Sequence, residues 1–183
     1  MSSLDSYRLI EKIGEGELSK VWEALATDGT RRAIKIFDLG REGIRDWIRK
    51  ELEMNARLDH HSIPRVIESK ERAHLDEYQN DVAYIVQELV SGGELFDYIV
   101  ETGAFPEKVC RVYLDQLLDC LEYIHSRGRG IAHLDLKLEN ILLSEAENFK
   151  IKVIDFGLAE PLDGLERTTK GTKGYLAPEV LSQ

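Results

Sequence analysis

The sequence predicts an α+β fold in two parts: an antiparallel sheet with one main helix over residues 1–90, then a mainly helical part over 91–183. Three observations predict it. Short β-like runs separated by turns dominate the first part. Apolar residues recur at three- and four-residue steps from Ile44 to Leu58 and from Val109 to Ile124. The change of character falls at Ser91-Gly92-Gly93-Glu94, a chain-breaking tetrapeptide.

Taken in order, "YRLIEKI" (7–13) and "SKVWEALA" (19–26) read as strands flanking a glycine stretch, and "RRAIKIF" (31–37) follows the turn "TDGT". The first helix carries Ile44, Trp47, Ile48, Glu51, Leu52, Asn55 and Leu58 on its inward stripe. "PRVIES" and "VAYIVQEL" read as two further strands, with the polar segment "KERAHLDEYQND" between them as an exposed loop. Pro106 suits the first position of a helix whose stripe is Val109, Val112, Tyr113, Leu117, Cys120, Leu121 and Ile124. "NILL" and "KIKVIDF" are short strands, and from Gly157 onward the chain reads as irregular.

Composition narrows the function. A net charge of −10 argues against nucleic acid or an anionic membrane as partner. A nucleotide stays compatible, because a few backbone amides and one lysine can hold phosphates on an acidic protein. The opening "MSSLDSYRLI" has no apolar leader core, and Ser2 stands where myristoylation needs glycine. No apolar run reaches membrane length. Cys110 and Cys120, ten residues apart on one helix, read as reduced thiols and hence a cytosolic or nuclear setting, with the cytoplasm as the expectation. The five histidines show no metal-ligand spacing.

Four motifs carry chemistry. In "IGEGELSKV", Gly14 and Gly16 let backbone amides approach phosphate oxygens, although a glycine-rich hairpin would read the same. Lys35, in "AIK" of an apolar strand, wants a counter-charge. Nucleotide phosphates or a glutamate of the next helix could supply it, and a surface lysine on an edge strand is the alternative. Of Glu51 and Glu53, Glu51 shares the inward helical face. In "HLDLKLEN", Asp135 can accept or orient a substrate hydroxyl, Lys137 can neutralise a phosphoryl group in transfer, and Asn140 can hold Mg²⁺. "DFG", twenty residues after Asp135, adds Asp155 as a second metal ligand. Each motif alone could be a turn; four in order, each on a suitable element, argue for phosphoryl transfer.

Those four motifs, with "GTKGYLAPEV" at 171–180, resemble the eukaryotic protein kinase family over residues 7–181. "YIVQELVSGGELFDYI" resembles the calcium/calmodulin-dependent group, and "IAHLDLK" its myosin light-chain and death-associated relatives. The resemblance implies a bilobal fold with ATP between a β-rich N-lobe and a helical C-lobe, the latter present only in part. It implies that Ile13, Gly14, Gly16 and Val21 cover the nucleotide, and that Lys35 pairs with Glu51 and the phosphates. Val21, Ala33 and Leu142 would sandwich adenine, Gln87 would be the gatekeeper, and Glu88, Val90 and Glu94 would border the nucleotide. Asp135 would be the catalytic base, with Lys137 beside it and Asn140 and Asp155 on Mg²⁺. Lys137 together with Thr172 implies phosphorylation of Ser/Thr in protein or peptide substrates, and Glu94 with Glu139 implies substrate arginine nearby. A regulatory segment or calmodulin-type partner outside this chain is implied as well. The competing expectation is a non-catalytic ATP-binding or scaffold fragment.

Several residues depart from the family pattern. Ser19 replaces a glycine, and "SRGRGIAH" runs longer than usual. Asn55 falls where an apolar residue is expected, which predicts weakened helix packing. The chain stops at Gln183, short of the family's full domain, so a fragment of a longer kinase with apolar surface exposed on helix 107–126 is expected. Leu134 stands where an arginine precedes the catalytic Asp, while Glu160 and Trp47 stand at other places where basic residues would meet a phosphate on Thr168. The absence of such a basic pocket predicts altered regulation rather than lost chemistry.

Overall fold

β-branched and aromatic residues alternating with charged ones make the first part of the chain a sheet. The computed structural model describes residues 3–126, 130–163 and 169–181. Its first strands are β1 (Ser3–Leu4), β2 (Tyr7–Glu15), β3 (Ser19–Ala26) and β4 (Arg31–Asp38). Helix α1 (Ile44–Asn55) follows, then β5 (Val66–Ala73) and β6 (Val82–Glu88). Among the described residues these strands form one antiparallel sheet in the order β1-β2-β3-β4-β6-β5. One face buries Leu4, Leu9, Ala24, Ile34, Ile36, Val82, Tyr84 and Val86 as a core.

β5 runs to Ala73, four residues beyond the expected strand, because Lys70 and Ala73 still pair with Tyr84 and Val82. It is an edge strand, and its outward charges suit an edge. Lys70 Nζ meets Asp5 at 2.8 Å and Arg72 Nε meets Asp81 at 2.5 Å. The segment expected as an exposed loop also returns Leu75 to the core, with Tyr78 packed against it.

The second part holds α2 (Leu95–Thr102), α3 (Glu107–Ser126), β7 (Ile131–Ala132), β8 (Ile141–Ser144), β9 (Lys150–Val153), β10 (Glu160–Pro161) and α4 (Pro178–Leu181). α3 turns Cys120 and Ile124 into a core with Leu95, Ile131, Ile141, Leu143, Ile151, Val153 and Phe156. Both thiols are free; Cys110 is exposed, and burial pushes the Cys120 thiol up to about 12. As expected of this helix, apolar side chains remain outside: Val112, Leu114 and Leu118 are each 52% exposed.

β8 and β9 form a hairpin, and β10 pairs with β7. The sequence reading carried the β9 strand through Phe156 and left everything beyond Gly157 irregular. β9 instead ends at Val153, because Asp155 turns left-handed at φ 61°, and two short elements follow.

The chain divides into two compact units, residues 1–50 with 65–89, and 51–64 with 90–183. The end of α1 and the loop after it therefore group with the second unit, whereas the sequence reading assigned all of 1–90 to the first. Of the described residues, no helix is long and apolar enough to cross a membrane.

Candidate active site

In the first unit the glycine stretch bends back on itself, with the Gly16 amide donating to the Ser19 carbonyl at 2.9 Å. Gly14 pairs in register with Val21, and Val21 with Lys35. A Cβ on Gly14 would meet only ordinary contacts, 3.5 Å from Val21 Cβ; one on Gly16 would lie 3.9 Å from Ser19 O. Neither glycine has a positive φ. Nothing in the fold of this unit therefore demands glycine at either place. Ile13 is exposed, Val21 half-buried and Ala33 buried. Gln87 and Glu88 end β6 half-buried, and the Glu88 amide donates to Arg65 O at 3.0 Å.

Lys35 is 7% exposed in β4. Its ammonium lies 5.1 Å from the centre of the Trp47 ring and 5.7 Å from that of Phe37, within cation–π range. The two rings pack in a tilted contact with centroids 5.7 Å apart, so Trp47 has an apolar partner in its own unit. Glu51 is 4% exposed and Glu53 is exposed, which fits the choice between them. Asn55 is half-buried, and its amide donates to Glu51 O at 2.8 Å. The polar group suspected of spoiling the packing is satisfied within the helix itself.

In the second unit the segment after β7 gathers most of the predicted residues. His133 Nδ1 accepts the Asp135 amide at 3.2 Å, so its Nε2 carries the proton and donates to Ile154 O at 2.9 Å. Burial holds this imidazole below the ordinary value, in the neutral form that network needs. Leu134 has φ 65°, an uncommon conformation for a side chain of its size. That twist turns Asp135 towards Lys137, Asn140 and Thr172. Thr172 Oγ1 donates to Asp135 Oδ1 at 2.6 Å and accepts from Lys137 Nζ at 2.9 Å. Lys137 Nζ also lies 3.1 Å from Asp135 Oδ2. The buried Asn140 donates to Asp135 O at 2.8 Å and to Oδ2 at 3.1 Å. Burial alone would raise the Asp135 pKa; the bonds from Thr172, Lys137 and Asn140 outweigh it and hold the carboxyl below its ordinary value.

Asn140 and Asp155 stand at the same end of the β8–β9 hairpin, where the Ile154 amide donates to Asn140 O at 3.0 Å. Asp155 is exposed and accepts the Gly157 amide at 3.4 Å. Leu142, in β8, is bridged to Glu94. Val90 is half-buried at the start of this unit. Burial, then Asp97 and Glu139, raise the Glu94 pKa. Glu139 in turn accepts the Tyr175 hydroxyl at 3.0 Å.

Sequence reading missed three features. The sequence presents Thr172 as a specificity signal, yet it bonds the Asp135 carboxylate directly. Gly171, at φ 124°, lies so close to the catalytic segment that a Cβ would sit 2.8 Å from Leu134 O; only the three-dimensional fold brings these together. Histidine spacing alone also hid His60, His61 and Asp119, whose ligand atoms lie within 4.8 Å of one another. His60 Nδ1 accepts the Ser62 amide at 3.2 Å, which puts its proton on Nε2, facing Asp119, rather than a lone pair for a metal. Thr168 lies outside the described residues, as does part of "SRGRGIAH".

One unit carries a buried lysine in its sheet, and the other gathers Asp135, Lys137, Asn140 and Thr172 around one carboxylate. Residues 7–183 match the family model of the protein kinase domain. The chain is 40% identical to calcium/calmodulin-dependent protein kinase type 1 of Macrobrachium nipponense, covering 98% of this chain and 51% of that protein. It is 38% identical to testis-specific serine/threonine-protein kinase 3 of Mus musculus, covering 97% and 65%. It is 40% identical to CBL-interacting serine/threonine-protein kinase 24 of Arabidopsis thaliana, covering 100% and 40%. This chain belongs to the protein kinase family, and it spans between two fifths and two thirds of the length of those relatives.

Proposed function

We propose that the protein transfers the γ-phosphoryl group of ATP to serine or threonine hydroxyls of protein substrates. The observation that carries this is the Thr172 hydroxyl, which donates to Asp135 and accepts from Lys137. A substrate hydroxyl needs the same two partners: a carboxylate to take or orient its proton and a cation beside the incoming phosphoryl group. Asp135 is the base, kept ionised by its hydrogen bonds. Its partners also fix its orientation, so the proton acceptor is preorganised.

Mg²⁺ and ATP fit the residues present. Asn140 spends its amide nitrogen on Asp135, and among the described residues its side-chain oxygen accepts no hydrogen bond. Asp155 offers an exposed carboxylate. Oxygen donors of this kind suit Mg²⁺, which would neutralise charge on the phosphates. Gly14 and Gly16, which the fold does not require to be glycine, would let amides approach those phosphates, with Lys35 as their cation. Glu94, Asp97 and Glu139 form an acidic neighbourhood suited to arginine in the substrate. A regulatory segment or calmodulin-type partner outside this chain is supported by the similarity to calcium/calmodulin-dependent and CBL-interacting kinases. A cytoplasmic setting is supported by the free thiols.

Phosphate transfer from labelled ATP to an arginine-rich Ser/Thr peptide tests the proposal, wild type against Asp135→Asn in the full-length protein. Transfer should depend on Mg²⁺ and collapse in the variant. Wild-type transfer no faster than that of Asp135→Asn would instead favour a non-catalytic nucleotide-binding module.

A further inference from the structure

Glu160 and Lys170 form an ion pair across a ten-residue span, Lys170 Nζ to Glu160 Oε1. Each end is fixed to a different part of the catalytic apparatus. Glu160 lies in β10, in register with Ala132 of β7, the strand that leads directly into His133, Leu134 and Asp135. One residue past β10, the Leu162 amide donates to Gly130 O at 2.8 Å, extending that attachment. Lys170 immediately precedes Gly171, which packs against the Leu134 carbonyl, and it stands two residues before Thr172, whose hydroxyl bonds Asp135. The acid is on the strand side and the base on the segment that delivers Thr172.

From this we infer that Lys170 and Glu160 are positioning residues. Their ion pair ties the segment carrying Gly171 and Thr172 to the strand behind Asp135, and so sets the position of the Thr172 hydroxyl against the Asp135 carboxylate. The inference rests on the proposed phosphoryl transfer for its kinetic effect and on the geometry alone for its structural effect. It also accounts for Glu160, which the sequence presents as an acid at a place where a phosphate-binding cation was expected. The tie is made by two unmodified side chains and needs no covalent change to form. Lys170 is 42% and Glu160 22% exposed, so the pair is partly screened and should weaken as salt is added.

Charge reversal tests this in the full-length protein. Glu160→Lys sets two cations against each other and Lys170→Glu two anions; the double reversal restores an attractive pair of opposite polarity. Each single variant should lower kcat about fivefold, with KM for ATP within about twofold of wild type, and the double variant should regain most of the loss. Hydrogen exchange of the amides at 170–173 is measured on the same four proteins. It should quicken in both single variants and slow again in the double. Exchange unchanged in the single variants, or a double variant as impaired as the worse single, overturns the inference. If wild type itself transfers no phosphate, the proposed function fails, and the exchange pattern still decides whether the tie exists.

Discussion

The Thr172 hydroxyl lies 2.6 Å from Asp135 Oδ1 and 2.9 Å from Lys137 Nζ, so one side chain of the segment after β10 completes the surroundings of the reactive carboxylate. Removing it should be felt in rate and in pH dependence together. Thr172→Ala should slow transfer roughly tenfold, whereas Thr172→Ser, which keeps the hydroxyl, should stay within about threefold. With Asp135 as the proposed ionised base, activity is lost as pH falls through its pKa. In wild type that limb lies below the ordinary value of 3.8. Loss of the Thr172 bond raises the Asp135 pKa and moves the limb towards higher pH. Superimposable acid limbs in the two proteins would show that Thr172 does not act on Asp135.

Gly16 separates the demands of folding from those of binding. A Cβ there meets only ordinary contact, and the backbone is not in the left-handed region. Gly16→Ala should therefore leave stability unchanged or raise it by up to about 1 kcal/mol, through the reduced freedom of the unfolded chain. KM for ATP should rise roughly tenfold, because the added methyl group hinders approach of the phosphates to the backbone. A destabilised variant with an unchanged KM would make the glycine a matter of folding.

His133 makes stability depend on mild acid. It is 3% exposed, and burial holds its folded-state pKa below the ordinary 6.5. A base whose pKa is lowered on folding binds fewer protons in the folded state. Its neutral form is favoured at no cost above the unfolded pKa, and stability falls as pH drops below about 6.5. Tm should decline between about pH 7 and pH 5.5, and His133→Gln should make that decline shallower. It should not abolish it, because His60 is shifted in the same direction, chiefly by burial. An unchanged slope in His133→Gln would mean that His133 does not contribute to it.

The parts of this fold legible in the sequence are those in which local pattern and burial coincide. β3, β4 and β6 and helices α1 and α3 carry their periodicity openly, and the second half of the α3 stripe, through Cys120 and Ile124, enters the core, whereas Val109 and Val112 of the same stripe stay exposed. The expected β5 stops at Ser69 because the next residues are charged: Lys70, Glu71 and Arg72 look like loop when only composition is read, and pairing with β6 outweighs that appearance. β7 and β10 are two residues each and exist only through one another, at a separation no local window spans. In the candidate site, Asp135, Lys137 and Asn140 were legible because one short motif holds all three. Thr172 joins them from 37 residues away. Asn55 was misjudged for the opposite reason: its hydrogen bond to Glu51 O is local, and a half-buried amide bonded to its own helix costs little.

Leu134 gives the last prediction. An arginine in its place would put a cation beside the base, and such a cation needs an anion, which phosphorylation of the following segment can supply. Leu134 instead lines a cavity of about 230 Å³ with Asp135, Leu136, Lys170, Thr172 and Leu176. No cation there waits for a phosphate, and the nearby lysine already pairs with Glu160. Trp47, another place where a basic residue is expected, packs at a tilt against Phe37. Thr168→Ala should therefore change the transfer rate by less than about tenfold, roughly 1.4 kcal/mol, in the full-length protein. Leu134→Arg should create the dependence that wild type lacks. Its guanidinium would enter a cavity lined by both Lys170 and Asp135 and compete with Lys137 and Thr172 for that carboxylate, lowering the rate of the unphosphorylated protein, and a phosphate on Thr168 should then restore part of it by a charge-assisted pair. Stopped-time transfer assays on the two variants, with and without prior phosphorylation, measure both effects. A hundredfold loss in Thr168→Ala, recovered when wild type is phosphorylated, would show that the phosphate switch persists without the arginine.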